Sequence, residues 1–394
     1  MAVGIQVMGT GMGDTRTIDA LVAEVLPDLD AAEPLWRRLE TDPASLLTPY
    51  QRFDWARAYL RSTGQAEAAR VVVLRDAEGR ARILLPLVLQ RVFGLCVAST
   101  IGDTHANYQL PLFATRDAAA LPSGDIAAAL IRAGRQAGID VYTLRHQPRM
   151  WDGAANPLAA AGEAAASDAY GLMLGPDPEA TVRRVFSADA RKKLRSKEKR
   201  LVEAKGPVVY RRAETPQEAA RFLAAFYAQK SARFAGMGVA DPYADAGIRA
   251  FLAAAASGSD PALEMHALCL AESGRVLATF GGAVNDRRFS GMMTAFDADP
   301  EIARFSPGDL LLLNLVRDQT ARGRLGFDLG VGEARYKANI CDETIGIVEA
   351  AIPVTLPGRA YSAVRQGLMR TKRRMKRDPR LYAAVQRLRK FRRP

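Results

Sequence analysis

Short apolar runs bounded by glycine and charged turns recur along this chain, and two of them share one design. Val71-Val72-Val73-Leu74 passes through Asp76-Ala77-Glu78-Gly79-Arg80 into Ile83-Leu84-Leu85-Pro86-Leu87-Val88. Ala267-Leu268-Cys269-Leu270 passes through Glu272-Ser273-Gly274-Arg275 into Val276-Leu277-Ala278-Thr279-Phe280. Each predicts strand, Gly-Arg turn, strand. Downstream of each, a helical stretch leads to a short strand that opens Gly138-Ile139-Asp140-Val141 in one case and Gly326-Phe327-Asp328-Leu329 in the other. The turn glycines lie 195 residues apart and the later strand openings 188 apart, which predicts two copies of one unit. The second copy reads as strands over 263–270, 276–284 and 289–296. A helix over 309–322 follows, opened by Ser306-Pro307-Gly308, and then a strand over 325–329.

The expected fold is therefore α/β (α+β), with two tandem lobes of mixed, mostly antiparallel sheet flanked by helices. The expected divisions are an extension over 1–30, a first lobe over 31–165, a second over 166–355 and a tail over 356–394. A length of 394 residues fits about two domains. Apolar residues at 48% and charged residues at 25% are those of an ordinary folded protein. Cys96, Cys269 and Cys341 are far apart, which argues against a disulfide framework. With only His105, His146 and His266 beside them, no metal site is expected. His146 and His266 read as structural. The first residues lack a signal-peptide pattern, and the longest uncharged apolar stretch, over 92–102, has 11 residues, too few for a span of about 20. A cytoplasmic location follows as the expectation.

Charge changes that picture only at one end. Residues 351–394 hold 14 Lys/Arg against Asp378 alone, leaving 41 basic and 42 acidic residues in the other 350. Within the tail, Leu381, Val385, Leu388 and Phe391 recur at helical spacing among arginines and Lys390, the pattern of a basic amphipathic helix. Such a helix suits an anionic membrane surface, and so a peripheral place on the inner face of the cytoplasmic membrane. A helix docked on its own domain is the plainer reading, and nucleic acid an unlikely partner. A second basic run, over 191–200, reads as a solvated helix face or the wall of an anionic ligand channel.

Candidate chemistry concentrates in Gly326-Phe327-Asp328-Leu329-Gly330-Val331-Gly332-Glu333-Ala334-Arg335-Tyr336-Lys337, where a strand ends in glycines and then in acid, phenol and amine. Acyl transfer to an amine needs a base for the ammonium proton, donors for the carbonyl oxygen and an acid for the departing thiolate. Glu333 is the candidate base, Tyr336 the candidate acid, and backbone N–H groups around 293–295 the candidate oxyanion donors. Arg335 and Lys337 would hold an anionic donor or acceptor. The plainer readings are a core Tyr336, a Glu333–Lys337 surface pair and a turn-capping Asp328. Ser306-Pro307-Gly308 offers the N-terminus of a helix to a phosphate.

Thr294-Ala295-Phe296-Asp297, Ser306-Pro307-Gly308-Asp309-Leu310-Leu311 and the 327–337 block resemble the CelD-type acetyltransferase branch of the GNAT superfamily. The resemblance runs over roughly residues 35–354 and includes Trp36, Trp55 and Leu84-Leu85-Pro86-Leu87. More distantly the chain is similar to the Fem-type aminoacyl transferases, which carry two GNAT lobes in tandem. The resemblance implies an acyl-thioester donor, acyl-CoA or acyl carrier protein, with its pantetheine arm between the strands over 289–296 and 325–329. Met293, Thr294, Ala295, Ser306, Gly308, Asp309 and Leu310 would contact it. The usual Arg/Gln-x-x-Gly-x-Gly/Ala loop is absent and Asp309 would repel a pyrophosphate, so a carrier protein or a shifted coenzyme A stays open.

The resemblance also places Asp103, His105, Asn107 and Tyr108 in the cleft between lobes as the acceptor site, His105 being a natural base near neutral pH. Lys230 and Arg233, on a helix over 217–234, would bind an acceptor phosphate or form salt bridges. Asp297 and Asp328 complete the substrate-binding candidates. Among enzymes of this branch the chain resembles a bacterial ceramide synthase, which acylates a sphingoid long-chain base. Acetylation of an exopolysaccharide or lipid-linked envelope precursor is the alternative, and aminoacyl transfer to a peptidoglycan precursor the third. A catalytically empty membrane assembly factor is the reading from another class.

Overall fold

The computed structural model describes residues 21–377 except Ala334, and leaves out the side chains of Arg335, Tyr336, Ala338, Lys372, Lys376 and Arg377. The stripe Leu381, Val385, Leu388 and Phe391 lies outside the described residues. The first half runs β1 (Val22–Leu26), α1 (Leu29–Glu40), α2 (Phe53–Ser62), β2 (Ala69–Arg75), β3 (Ala81–Val92), β4 (Leu95–Thr100) and β5 (Leu112–Phe113). It continues through α3 (Arg116–Ala119), α4 (Ser123–Gln136), β6 (Val141–Pro148), the small hairpin β7 (Met150–Trp151) and β8 (Ala154–Ala155), and β9 (Glu163–Ala164). The second half runs β10 (Ala169–Met173), α5 (Pro178–Val185), α6 (Ala188–Lys205), β11 (Val208–Arg212), α7 (Pro216–Met237) and α8 (Ala246–Ala255). Next come β12 (Leu263–Leu270), β13 (Val276–Val284), β14 (Arg288–Phe296), α9 (Pro300–Ala303), α10 (Pro307–Ala321) and β15 (Gly326–Val331). The described chain closes with α11 (Arg335–Ile340), β16 (Glu343–Ile345), β17 (Ile347–Pro353) and α12 (Leu356–Arg377).

Local chemistry explains many boundaries. Asp28 caps α1 by accepting from the Ala31 N–H at 2.8 Å. Helix α7 starts with a Thr215 cap and Pro216 and stops at the left-handed Gly238. Pro86 sits inside β3, where a missing N–H ordinarily excludes it. On one edge β3 pairs with β5 through Ile83 and Leu84 and with β4 only from Leu87 onward, so Pro86 falls in the gap between partners.

The two sheets repeat each other. One has the order β1-β2-β3-β4-β6-β17-β9, with β5 beside β3, and the other β11-β12-β13-β14-β15-β10-β16. In each, four antiparallel strands are followed by one parallel step, β4 to β6 and β14 to β15, and then an antiparallel strand. That antiparallel strand has changed places. β10 follows the first sheet in sequence yet pairs with β15, whereas β17 follows the second and pairs with β6.

Two of the expected divisions are corrected by this pairing. β1 belongs to the first sheet, so an extension over 1–30 is cut short. β17, placed in the second lobe by sequence, completes the first. Burial follows the same plan. One core continues from Trp36, Trp55 and Leu84 in the first lobe to Phe222, Phe226 and Met293 against α7, and a second lies between α10 and the opposite face of the second sheet around Phe280, Phe289 and Phe327.

Candidate active site

β14 and β15 pair in parallel at Arg288–Gly326, Phe289–Phe327 and Ser290–Asp328, and there the ladder stops although both strands continue. β15 stays with β10 on its other edge, past a register shift between Tyr170 and Gly171, and pairs Gly330 with Tyr170 and Val331 with Ala169. β14 stays with β13, and a register shift between Gly281 and Gly282 leaves Met292 as an extra residue on β14. The two strands thus part, and the edge of β14 from Gly291 toward Phe296 faces the gap without a strand partner among the described residues. Thr294 and Phe296 are exposed there, whereas the Met293 and Ala295 side chains are buried, leaving only their backbone to a ligand.

A side chain of the first lobe occupies the point of divergence. Asn107 Nδ2 donates to Gly291 O at 2.9 Å and to Tyr50 Oη at 2.7 Å, and its Oδ1 accepts from Val331 N at 3.5 Å. Tyr50 reaches on to Ser290 Oγ at 3.0 Å. Gly330 has φ +76°, and a Cβ there would come within 2.8 Å of the Asn107 carboxamide oxygen, so a side chain would meet both backbone strain and Asn107.

At the far end of the gap is the start of α10. Ser306 is left-handed (φ 53°), and its hydroxyl, instead of capping, accepts from Lys197 Nζ of α6 at 2.6 Å. The Asp309 and Leu310 N–H groups both turn back to Ser306 O, and the first-turn N–H of Gly308 has no helical partner. The Phe296 ring lies 3.7 Å from where a Gly308 Cβ would stand, with the Arg233 guanidinium 5.9 Å above its centre. Lys230 lies 5.9 and 5.7 Å from the Phe226 and Phe234 ring centres, and burial lowers its pKa. Cations from α6 and α7 therefore flank this helix start, which offsets the exposed Asp309 of its first turn.

At the end of β15 Glu333 is exposed and stands near Tyr170, whose phenol is raised by burial and further by that carboxylate. The side chains of Tyr336 and Arg335, two of the sequence candidates, lie outside the described residues. Four others are engaged by the protein itself. Lys337 is buried and donates to the carbonyls of Gly330 at 3.0 Å and Val331 at 3.4 Å, so its amine ties off β15 and is not offered to an anion. Asp328 is fully buried, 2.6 Å from Arg288, which also meets Glu343 at 3.1 Å; burial raises the Asp328 carboxyl to about 6. Tyr108 is sealed in the core, its ring 4.8 Å from Trp151. Asp297 is paired with Arg275 at 2.7 Å.

The remaining candidates come from the first lobe's 103–107 loop. Asp103 pairs with Arg145. His105 is half-buried with ring centres of Tyr59 and Phe251 at 6.3 and 6.4 Å, and burial lowers its pKa, which favours the neutral imidazole. Sequence reasoning passed over Tyr50, Tyr170 and Ser290, whose places depend on contacts 57 to 240 residues away. Lys197 carried a signal in the 191–200 basic run.

Residues 188–338 match the family model described as an acetyltransferase (GNAT) domain. This segment holds β14, α10 and β15, the strands and helix start that border the gap. Comparison with curated proteins gives no match. Among solved structures, FemX is similar over 84% of this chain and 98% of its own, with 11% identity and a TM-score of 0.57. Weaker likenesses include the C-terminal domain of a putative lysylphosphatidylglycerol synthetase from Agrobacterium fabrum (80% and 94% covered, 13% identity, TM-score 0.46). A tandem GNAT protein from the clavulanic acid biosynthesis pathway is similar at 84% and 99% coverage, 14% identity and TM-score 0.42. The likeness to FemX shows a shared fold, which in this chain is two repeated lobes of mixed sheet and flanking helices in tandem.

Proposed function

We propose that this protein moves an acyl group from a thioester donor to an amine, with the donor's arm in the gap between β14 and β15. The observation that carries this reading is the end of the parallel ladder after Ser290 and Asp328, beside a helix start served by Lys197. The unpaired edge of β14 offers backbone hydrogen bonds to an amide-bearing pantetheine arm, and its N–H groups beyond the Met292 bulge serve the developing oxyanion. The donor's phosphates lie at Ser306–Leu310 between Lys197 and Arg233, and the same cations suit the phosphopantetheine of a carrier protein.

Glu333 takes the ammonium proton, and a phenol returns one to the thiolate. Tyr336 is the acid read from sequence, and Tyr170, beside Glu333, is a second phenol at the same place. The acceptor is a sphingoid long-chain base presented at a membrane. Exposed Phe296 supports this, since it offers apolar surface beside the cationic helix start. The test is the purified protein with sphinganine and either palmitoyl- or acetyl-CoA, the amide being measured by mass spectrometry. An amide with the long donor is expected, and none with either donor refutes this acceptor. Glu333→Gln is expected to lower kcat by roughly 100-fold.

A further inference from the structure

One end of the first lobe carries exposed apolar groups with no part in acyl transfer. The turn from β3 to β4 is two residues long, Phe93 and Gly94, with φ +50° and +81°, a turn that asparagine and glycine ordinarily fill. A bulky side chain in that conformation is disfavoured, yet Phe93 stands there 96% exposed. Asp140 clamps the turn end of this hairpin to the start of α12. One carboxylate oxygen accepts from the Cys96 N–H at 2.8 Å, the other from the Thr355 hydroxyl at 2.7 Å, and its carbonyl accepts from the Val354 N–H at 2.9 Å. Phe93 is three residues from Cys96, a reach of about 10 Å, and Leu356 follows Thr355 directly, so both project from one end of the lobe.

Helix α12 continues the pattern along the lobe. Ser362, Arg365, Gln366 and Met369 face the sheet, and Arg365 and Arg370 hold Glu349 and Glu163. The opposite side presents Leu356, Val364 and Leu368, exposed at 77, 65 and 67%, with Ala360 between them. Exposed Arg359 and Arg374 run along one flank of that stripe, and the 22 residues contain eight Lys/Arg and no Asp or Glu. A helix that spends its inner face on the protein and leaves an apolar outer stripe beside exposed arginines suits the boundary between anionic headgroups and acyl chains.

We infer that this face, the Phe93 turn together with the outer stripe of α12, seats the protein on an anionic bilayer. It deepens the membrane-surface acceptor reading, on which its purpose rests, and stands on its own as a binding surface. Sedimentation of the full chain with vesicles of phosphatidylcholine, with and without 30% phosphatidylglycerol, tests it. Binding is expected only to the anionic vesicles and is expected to weaken with salt. Phe93→Asn should raise thermal stability while lowering the partition coefficient several-fold, and Val364→Asp with Leu368→Asp should lower it at least tenfold. Acyl transfer to a short water-soluble amine should stay unchanged in both variants, so a failed acyl-transfer reading and a failed membrane reading give different results. Vesicle binding as strong in these variants as in the parent overturns the inference. So does loss of binding confined to Leu388→Ser and Phe391→Ser, or a shift from dimer to monomer in Val364→Asp without any change in vesicle binding.

Discussion

Asn107 shows how one carboxamide from the first lobe enters the chemistry of the second. With a donor and an acceptor on the same flat group, it meets both strands where their own ladder fails. Asn107→Ala strips Gly291 O and Tyr50 of a partner, a loss of about 1–1.5 kcal/mol. The expected result is a roughly tenfold higher KM for the thioester with the amine KM unchanged, measured by initial rates. Gly330→Ala should produce the same split by pushing the carboxamide away. Asp328 supplies a pH test. Burial raises its carboxyl to about 6, so between about pH 4 and 6 the folded protein binds more proton than the unfolded chain, and stability falls as pH rises through that window. Melting temperatures taken across pH 4–8 should show this descent, and Asp328→Asn should flatten it. At this scale the sequence was legible in type more than in placement. Glu333 stands exposed at the end of its strand, but Lys337 and Asp328 look the same in a string whether they face substrate or a carbonyl and an arginine.

Elements were legible where the pattern was strong. Both hairpins and the strand, helix and strand of the second lobe lie where apolar runs and Gly-Arg turns put them, because a two-residue period and a helix-opening Ser-Pro-Gly are local facts. β10 and β17 were not, since Ala169–Met173 and Ile347–Pro353 take their neighbours from the opposite half of the chain. Helix α6 stands between these cases, with a visible charge run whose one strategic member, Lys197, is identified only by its contact with Ser306. If α6 and α10 hold the donor's phosphates together, Lys197→Glu should raise the dissociation constant for coenzyme A by tenfold or more, steeply at low ionic strength and weakly at high. Calorimetric titration at two salt concentrations checks this, and equal affinities would place the phosphates elsewhere.

At the scale of the whole molecule, the exchange of β10 and β17 and the core shared through Trp55, Phe251 and Phe226 make the lobes one cooperative body. Scanning calorimetry should therefore show a single transition with equal calorimetric and van't Hoff enthalpies, and two resolved transitions would contradict it. The same exchange orders events during synthesis. β6 is finished at Pro148, and its partner begins at Ile347, 199 residues later. At a ribosomal rate of 5–20 residues per second the unpaired edge waits roughly 10 to 40 seconds. An open edge is a template for other nascent chains, so a cell making this protein in quantity has a reason to occupy that edge with a chaperone until the late strand arrives.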